Sequence, residues 1–478
     1  MFLYNDEYLY MNKILCFLVF EGIVSGGCSK GKVSAPPNII YVMTDQQAFD
    51  AMSCAGNELV NTPALDKLAA SGLRFENAYC AFSLCVPSRA AMFTGKMPHE
   101  SGIFVNTKPV KDERLPFTIL GRLLKDAGYQ THYIGKWHLT VPLSDTAQHG
   151  FIGIDHPGAH GFDAEYARQA VNFLNEKHED PFFLVVSLVN PHDACQLARG
   201  EDLSLWEGPI PDLPNPDHLP ELPANFEIPE NEPDYLRKWQ EENSEKVYNS
   251  YHWNEQEFKA YQWGYYRLVE KVDSLLAKVF DAANAPYLRD NTLIIFSSDH
   301  GDGSSRHRWN QKTSPYDESV RVPFIMAGAP VHRKGETESR LISAGLDLFP
   351  TICDFAGIEP PGTLRGRSLR PLVEKNPTIH DWRKYVVTEM SFGNWVNEYH
   401  TDTFPKARVL RTDDYKYIVY DRGQLREQLI DMRHDPGEMN NLAVDPEHNE
   451  VLQLHRTYLK EWLSETNDKF RMPDEILN

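Results

Sequence analysis

The sequence predicts an α/β protein. A mostly parallel central sheet carries helices on both faces, three layers in all, and a small antiparallel sheet packed with a helix follows. Three observations predict this. Four apolar runs each close in polar, chemically reactive residues. Helix-patterned segments lie between those runs. After about residue 375 the runs become short and alternating, with turn residues between them. Strands buried on both faces read as continuous apolar runs, and strands alternating with helices build parallel sheets.

The elements follow in order. "NIIYVMTDQQ" (38–47) is a buried strand ending at Asp45 and Gln46. Thr62 to Ser71 is a helix opening on Thr-Pro, and Thr118 to Ala127 is a second. "QTHYIGKWH" (130–138) is a strand closing on Lys136 and His138. Asp163 to Lys177 is a helix, and "PFFLVVSLVNPH" (181–192) is a strand that ends at His192. Residues 195 to about 250 are rich in Pro, Glu, Asp and Asn, and read as a long surface excursion. Such a segment either shapes a substrate pocket or is a solvated insertion. Gln256 to Ala283 is a long helix, and "NTLIIFSSDHGD" (291–302) is a strand ending at Asp299 and His300. "KYVVTEMS", "KARVLRTDDYKYIVYD" and "EQLIDM" supply the antiparallel strands. In a last helix over 448–467, Val451, Leu454, His455, Tyr458, Leu459 and Trp462 share one face. The expected organisation is a leader over 1–35, a catalytic domain over 36–375 and a C-terminal subdomain over 376–478.

Composition narrows the function. Hydrophobic content of 41% and aromatic content of 12% suit a packed globular enzyme. The net charge is 48 − 68 = −20, with no long basic run. This excludes a nucleic-acid surface, so an anionic substrate needs a local basic pocket. Lys13 precedes the apolar stretch Ile14 to Phe20, and Ser25-Gly26-Gly27 precede Cys28. That pattern reads as an export signal, too short to span a bilayer. A plain signal peptide and a lipoprotein leader with lipid on Cys28 both fit. The expected location is the periplasm or a lipid anchor at the bacterial envelope. The seven Cys show no CxxC pairing, which argues against a zinc site. Export permits disulfides among Cys54, Cys80, Cys195 and Cys353, without fixing a pairing. Oligomeric state is not legible.

In open parallel sheets, ligands bind beyond the carboxyl ends of the strands. Here those ends carry Asp45, Gln46, Lys136, His138, His192, Asp299 and His300. One further residue belongs with them. In "CVPSRAAMFTGK" (85–96), Pro87 suits the first turn of a helix and puts Cys85 at its N-terminus. Unpaired N–H groups and the helix dipole there favour a thiolate. A lone Cys is more often inert and buried. Arg89, one helical turn on, and the polar strand ends favour chemistry instead.

"CVPSRAAMFTGK" resembles the signature of the type I sulfatases, C-x-P-S-R followed by a helix and a T-G pair. "NTPALDKLAASGLRFENAY", "IGKWH", "NPH", "SSDHGD", "YDESVRVPFIM" and "MRHDPGEMNNLA" resemble further blocks of that family, in the family's order. The resemblance runs from about residue 36 to the end. It implies the alkaline-phosphatase-like fold and a sulfuric ester hydrolase. It also implies a maturase that oxidises Cys85 to formylglycine (3-oxoalanine). The implied substrate is a sulfated carbohydrate, a glycosaminoglycan fragment of heparin, heparan or chondroitin type. The implied cofactor is one Ca2+ on Asp45, Gln46, Asp299, His300 and an oxygen of the modified Cys85. Arg89 would hold the formylglycine, and Lys136 and Lys312 would clamp sulfate. His138 would take a proton from the gem-diol, and His192 would protonate the leaving alcohol or bind sulfate.

Two positions depart from the family pattern. Gln46 stands where Asp is usual, and His300 where Asn is frequent. Gln offers a hard carbonyl oxygen and His a softer donor. His300 keeps open a phosphonate monoester or phosphodiester hydrolase of the same superfamily. A catalytically inactive sugar-binding relative is a third reading, disfavoured by the intact set of reactive residues. In "SSRHRWNQK" (304–312), His307 is expected in the sulfate pocket, and Arg308 and Trp309 against an acidic sugar. A solvated loop with a packed Trp fits the same stretch. Trp395, His400 and Arg408 read as structural.

Overall fold

The four apolar runs lie together in one sheet. The computed structural model describes residues 36–478 except 107–115, 155–160, 204–209, 247, 249, 376–378, 380, 393–403, 474–475 and 477–478. In chain order the strands are β1 (Asn38–Asp45), β2 (Gly72–Phe75), β3 (Ala78–Tyr79), β4 (Gln130–Gly135), β5 (Ile152–Ile154), β6 (Phe182–Pro191) and β7 (Thr292–Ser298). Then come β8 (Phe324–Gly328), β9 (Glu336–Glu338), β10 (Ile342–Ser343), β11 (Tyr385–Ser391), β12 (Lys406–Thr412), β13 (Tyr415–Tyr420) and β14 (Glu427–Asp431). The main sheet has the order β5-β4-β6-β1-β7-β8-β2-β9, with β3 and β10 paired separately. Its β8 pairs antiparallel with both β7 and β2, while the other pairings are parallel.

Every residue of β6 and β7 is buried, which explains their unbroken apolar character. Alternation along β1 divides the core. Ile39, Tyr41 and Met43 pack with the helices Cys85–Thr94, Leu120–Asp126 and Ala344–Ala356. Ile40 and Val42 pack with Pro63–Ala70, Asp163–Asn175 and Glu255–Ala283. The fold is the alkaline-phosphatase-like α/β sandwich, with the mostly parallel sheet in the middle layer. Strands β2, β5, β8 and β9 are too short or too irregular to stand out in the sequence.

The C-terminal segment forms the expected antiparallel sheet, in the order β11-β12-β13-β14, and the helix Asn449–Thr466 packs with it. One face assignment is corrected. Leu454 is 47% exposed, while Leu452, His455 and Leu459 are buried. Leu454 lies two residues from Leu452, about 200° round the helix, so it faces water. The leader with Cys28, and Trp395 and His400, lie outside the described residues. Arg408 is buried and structural, as expected. Cys54, Cys80, Cys85, Cys195 and Cys353 are free thiols. Among the described residues no helix is long and apolar enough to cross a membrane.

A charged joint ties the C-terminal sheet to the segment after the Cys85 helix. His99 Nδ1 donates to Glu389 Oε1 at 2.5 Å, and Nε2 lies 3.1 Å from the Thr466 carbonyl. Both acceptors lack a proton to give, so both ring nitrogens carry one and His99 is an imidazolium. Arg408 donates to both oxygens of Asp468, at 2.7 and 3.0 Å. Two cations thus balance two buried carboxylates, and the cluster needs no metal ion. Burial disfavours the charged ring, but Glu389, Asp468 and the Thr466 carbonyl outweigh it and raise the His99 pKa above 6.5. The raised value belongs to the folded state. Its stabilisation is therefore complete below pH 6.5 and is lost as pH rises through the folded value. Urea denaturation at a series of pH values above 6.5 should show that decline, and His99→Gln should flatten it.

Candidate active site

Four strand ends converge. Asp45 ends β1, Lys136 follows β4, His192 follows β6, and Asp299 and His300 follow β7. The adjacency of β6, β1 and β7 sets Asp45 beside Pro191 and Thr44 beside Ser298. Gly135 turns the chain so that Lys136 enters the site. Its φ is +115°, and a Cβ there would lie 1.9 Å from the Ser187 carbonyl oxygen. Only glycine tolerates both conditions.

Cys85 is the first residue of its helix, and all ten residues of that helix are buried. Asn106, which nothing in the sequence singled out, accepts the Val86 N–H at 3.1 Å. Cys85 Sγ lies 3.2 Å from His300 Nε2, 3.5 Å from Lys312 Nζ and 3.7 Å from Asp45 Oδ1. Burial and the Asp45 carboxylate push the thiol pKa up. Lys312, Lys136 and His300 outweigh them and hold it well below the ordinary thiol value.

Arg89 organises the acids. Its Nε donates to Asp299 and its Nη2 to Asp45, both at 2.9 Å. Its Nη1 donates to the Lys136 carbonyl at 2.7 Å and to Ser187 Oγ at 2.9 Å. The guanidinium therefore works on Cys85 through the two carboxylates and through its charge. Burial opposes ionisation of Asp45, but the cations Lys136, Arg89 and Lys312 hold its pKa well below the carboxylate range. Burial and the neighbouring Asp45 push Asp299 up to about 6.

The donor set fits one divalent cation. Ligand atoms of Asp45, Cys85, Asp299 and His300 all lie within 4.8 Å of one another, and all four residues are buried. His300 Nδ1 donates to the Gly301 carbonyl at 3.0 Å, so Nε2 is the ring atom that faces the cluster and would ligate a cation once it has given up its proton. Gln46 stands beside this quartet with its amide oxygen accepting from Lys312 Nζ at 2.6 Å. His138 and His192 both interact with Cys85. Burial and the nearby Lys136 lower both imidazole pKa values, His192 the more strongly, so both are neutral at pH 7.

A model of the family described as "Sulfatase" matches residues 37–358, and one described as "N-sulphoglucosamine sulphohydrolase, C-terminal" matches residues 305–467. This chain belongs to the type I sulfatase family. It is 32% identical to a Delta 4,5-hexuronate-2-O-sulfatase of Bacteroides thetaiotaomicron over 453 residues, covering 91% of this chain and 90% of the relative. An N-acetylglucosamine-6-O-sulfatase of the same organism is 28% identical, covering 92% and 88%. A solved 2-O GAG sulfatase superposes with a TM-score of 0.78 at 28% identity, covering 92% of this chain and 95% of that one.

The loop 304–312 of this sulfatase corrects part of the sequence reading. His307 is buried, with Nδ1 on Glu318 at 2.7 Å and Nε2 on the Gly437 carbonyl at 2.9 Å. Both nitrogens are committed to the scaffold, so His307 does not serve the sulfate. Trp309 is 2% exposed and packs with Met390, Phe392 and Ile418. It has no face to offer a sugar; its indole N–H holds the Lys312 carbonyl at 3.1 Å instead. Arg308 keeps a partly exposed side chain, paired with Glu227 at 3.2 Å. Residues missed in the sequence include Ser187, Asp302, Tyr261, Gln311 and Cys195. Ser187, a polar break inside a buried strand, was the one with a visible signal.

Two substitutions test this geometry. Arg89→Leu leaves two buried carboxylates without their shared cation, and should cost about 3–5 kcal/mol in the urea stability of metal-free protein. Gly135→Ala forces a backbone clash, and should cost about 2–4 kcal/mol by the same measurement.

Proposed function

We propose that this sulfatase hydrolyses a sulfate ester of a glycosaminoglycan-type saccharide, with Cys85 converted to formylglycine and one calcium ion beside it. The observation that carries this reading is the position of Cys85. It lies at the mouth of a buried helix, between the three residues Asp45, Asp299 and His300 and the Lys312 ammonium. Two carboxylate donors favour a hard cation, with His300 Nε2 as the softer fourth atom and Gln46 adjacent. Hydrated formylglycine supplies a nucleophilic oxygen and its own regeneration, and the cation lowers that oxygen's pKa and neutralises sulfuryl charge.

The chain's own residues do the rest. Arg89 fixes Asp45 and Asp299 so that their oxygens converge on one point. Lys136 and Lys312 set two ammonium charges where the sulfuryl oxygens gather negative charge. Neutral His138 accepts a proton at the modified residue. His192 is held neutral partly by Lys136 and Lys312. A bound sulfate ester offsets those two charges, so the imidazole gains a proton when substrate arrives and passes it to the leaving oxygen. The hexuronate and hexosamine sulfatases among the relatives support a glycosaminoglycan saccharide, and Arg308 at the rim suits an acidic sugar. The leader over residues 1–35 supports export to the periplasm or anchorage at the envelope through Cys28.

A panel of 2-O-, 6-O- and N-sulfated saccharides, run beside a phosphonate monoester, tests the substrate class. Sulfate release from a saccharide should dominate, and a faster phosphonate reaction overturns the reading. Active protein should carry a mass loss of about 18 Da on the Cys85 peptide, set by thiol-to-aldehyde oxidation. Cys85→Ala should abolish turnover. Chelation should remove activity and calcium restore it; restoration by manganese or zinc alone rules calcium out.

A further inference from the structure

Lys312 is the cation closest to the nucleophile that the loop 304–312 delivers, and something must aim it. A lysine ammonium on a four-carbon stem has no fixed direction of its own. The aiming group is Gln46, whose Oε1 accepts from Lys312 Nζ at 2.6 Å. Gln46 is in turn held on every side. Its φ is +71°, a strained backbone for a residue with a side chain. Its N–H donates to Asp299 at 3.1 Å, and its carbonyl accepts from Tyr265 at 3.0 Å. Its Nε2 donates to Asp302 Oδ2 at 2.6 Å and to Gln311 Oε1 at 3.2 Å. Cys195 Sγ donates to Gln311 Oε1 at 2.9 Å and lies 3.5 Å from Gln46 Oε1.

We infer that Asp302 and Tyr261 are positioning residues that fix the polarity of the Gln46 amide, so that its oxygen faces Lys312 and aims that ammonium at the nucleophile. The chemistry of the partners decides the direction. An ammonium can only donate, so the Gln46 atom facing it must be oxygen. The other amide atom is then the nitrogen, and it is the one that donates to Asp302 Oδ2. The opposite amide orientation would set donor against donor and acceptor against acceptor, each at 2.6 Å. Asp302 is itself immobile. The Ser304 N–H donates to its Oδ1 at 2.7 Å, and the Tyr261 hydroxyl, 2.5 Å from the Asn310 carbonyl, packs 3.0 and 2.9 Å from its two oxygens. Tyr261 comes from the helix Glu255–Ala283, so the relay ties a rigid helix to the sulfate clamp. Aspartate at position 46 would set two carboxylates against each other. Gln46 and Asp302 are therefore a matched pair.

The inference rests on Lys312 serving the sulfate as proposed above, and the two can fail separately. In Asp302→Asn the Ser304 N–H keeps the oxygen of the new amide, which turns its nitrogen toward Gln46. Gln46 must then rotate and offer its own nitrogen to Lys312. We expect kcat/KM for a sulfated substrate to fall roughly ten- to a hundred-fold. Formylglycine occupancy, read by mass spectrometry, should stay as in wild type, and the loss should persist at saturating calcium. Gln46→Glu alone should be impaired too, with carboxylate facing carboxylate. The double variant Q46E/D302N restores an acceptor for Lys312 and a donor beside it at unchanged net charge. It should recover to within about five-fold of wild type, a coupling that a merely structural role does not produce. Wild-type activity in D302N, or a double variant no better than the worse single one, overturns the inference. Should D302N fail to fold, Q46E against Q46E/D302N reads the same coupling, and the double must be the more active. Lys312→Ala with full activity would sink the role of Lys312 itself. An inactive Lys312→Ala beside a fully active D302N would sink this inference alone.

Discussion

One guanidinium makes the site possible. Asp45 and Asp299 stand at the ends of neighbouring strands, so the sheet itself brings two fully buried carboxylates together. Like charges at that spacing repel strongly at low dielectric. Arg89 spans them with one nitrogen each, and with Nη1 it also holds the carbonyl that precedes the turn after Lys136. Because Arg89 stands one helical turn from Cys85, the same side chain that neutralises the acids also fixes the helix that presents the nucleophile. Strand order, acid geometry and nucleophile position are thus one constraint.

Charge balance around Cys85 follows from that. Lys136 and Lys312 approach the same point from two directions, and both are almost fully buried. An acidic side chain at position 46 would add a third carboxylate to the quartet's two. The neutral Gln46 avoids this, and the site keeps a positive excess where an anionic ester must bind. That local excess matters in a chain whose net charge is −20. Long-range attraction of a polyanion is absent here, so recognition depends on the few cations inside the pocket.

The sequence made the frame and the reacting residues legible for a physical reason. Buried parallel strands announce themselves as apolar runs, and the polar residues closing them stand out against that background. Asp45, Lys136, His192, Asp299 and His300 are visible in this way, and Cys85 with Arg89 by their spacing. The supporting partners are different. Asn106, Asp302 and Tyr261 do their work across long chain separations, and nothing local distinguishes a loop Asn or a helical Tyr that does so. His307 and Trp309 show the converse error. A basic and aromatic loop next to a metal site looks like a recognition surface until packing shows which way it faces. Leu454 illustrates the same limit on a smaller scale, since periodicity finds a helix face only to within a residue or two.

The direction of that loop gives the C-terminal sheet a hold on the buried cluster. Trp309 packs against Met390, Phe392 and Ile418, while its N–H holds the carbonyl of Lys312. His307 donates to Gly437 on one side and to Glu318 on the other. Lys416 pairs with Asp317 and Glu438, both at 2.6 Å. The loop is therefore clamped between the two sheets, and Lys312 sits at its end. The antiparallel sheet contributes no atom to the cluster of Asp45, Cys85, Asp299 and His300, yet it sets where the Lys312 ammonium stands. A core exchange at Met390 or Ile418 should consequently weaken more than stability. By moving Trp309 it moves the backbone of Lys312, and a cation displaced from a developing negative charge loses transition-state binding without any change in the reacting groups.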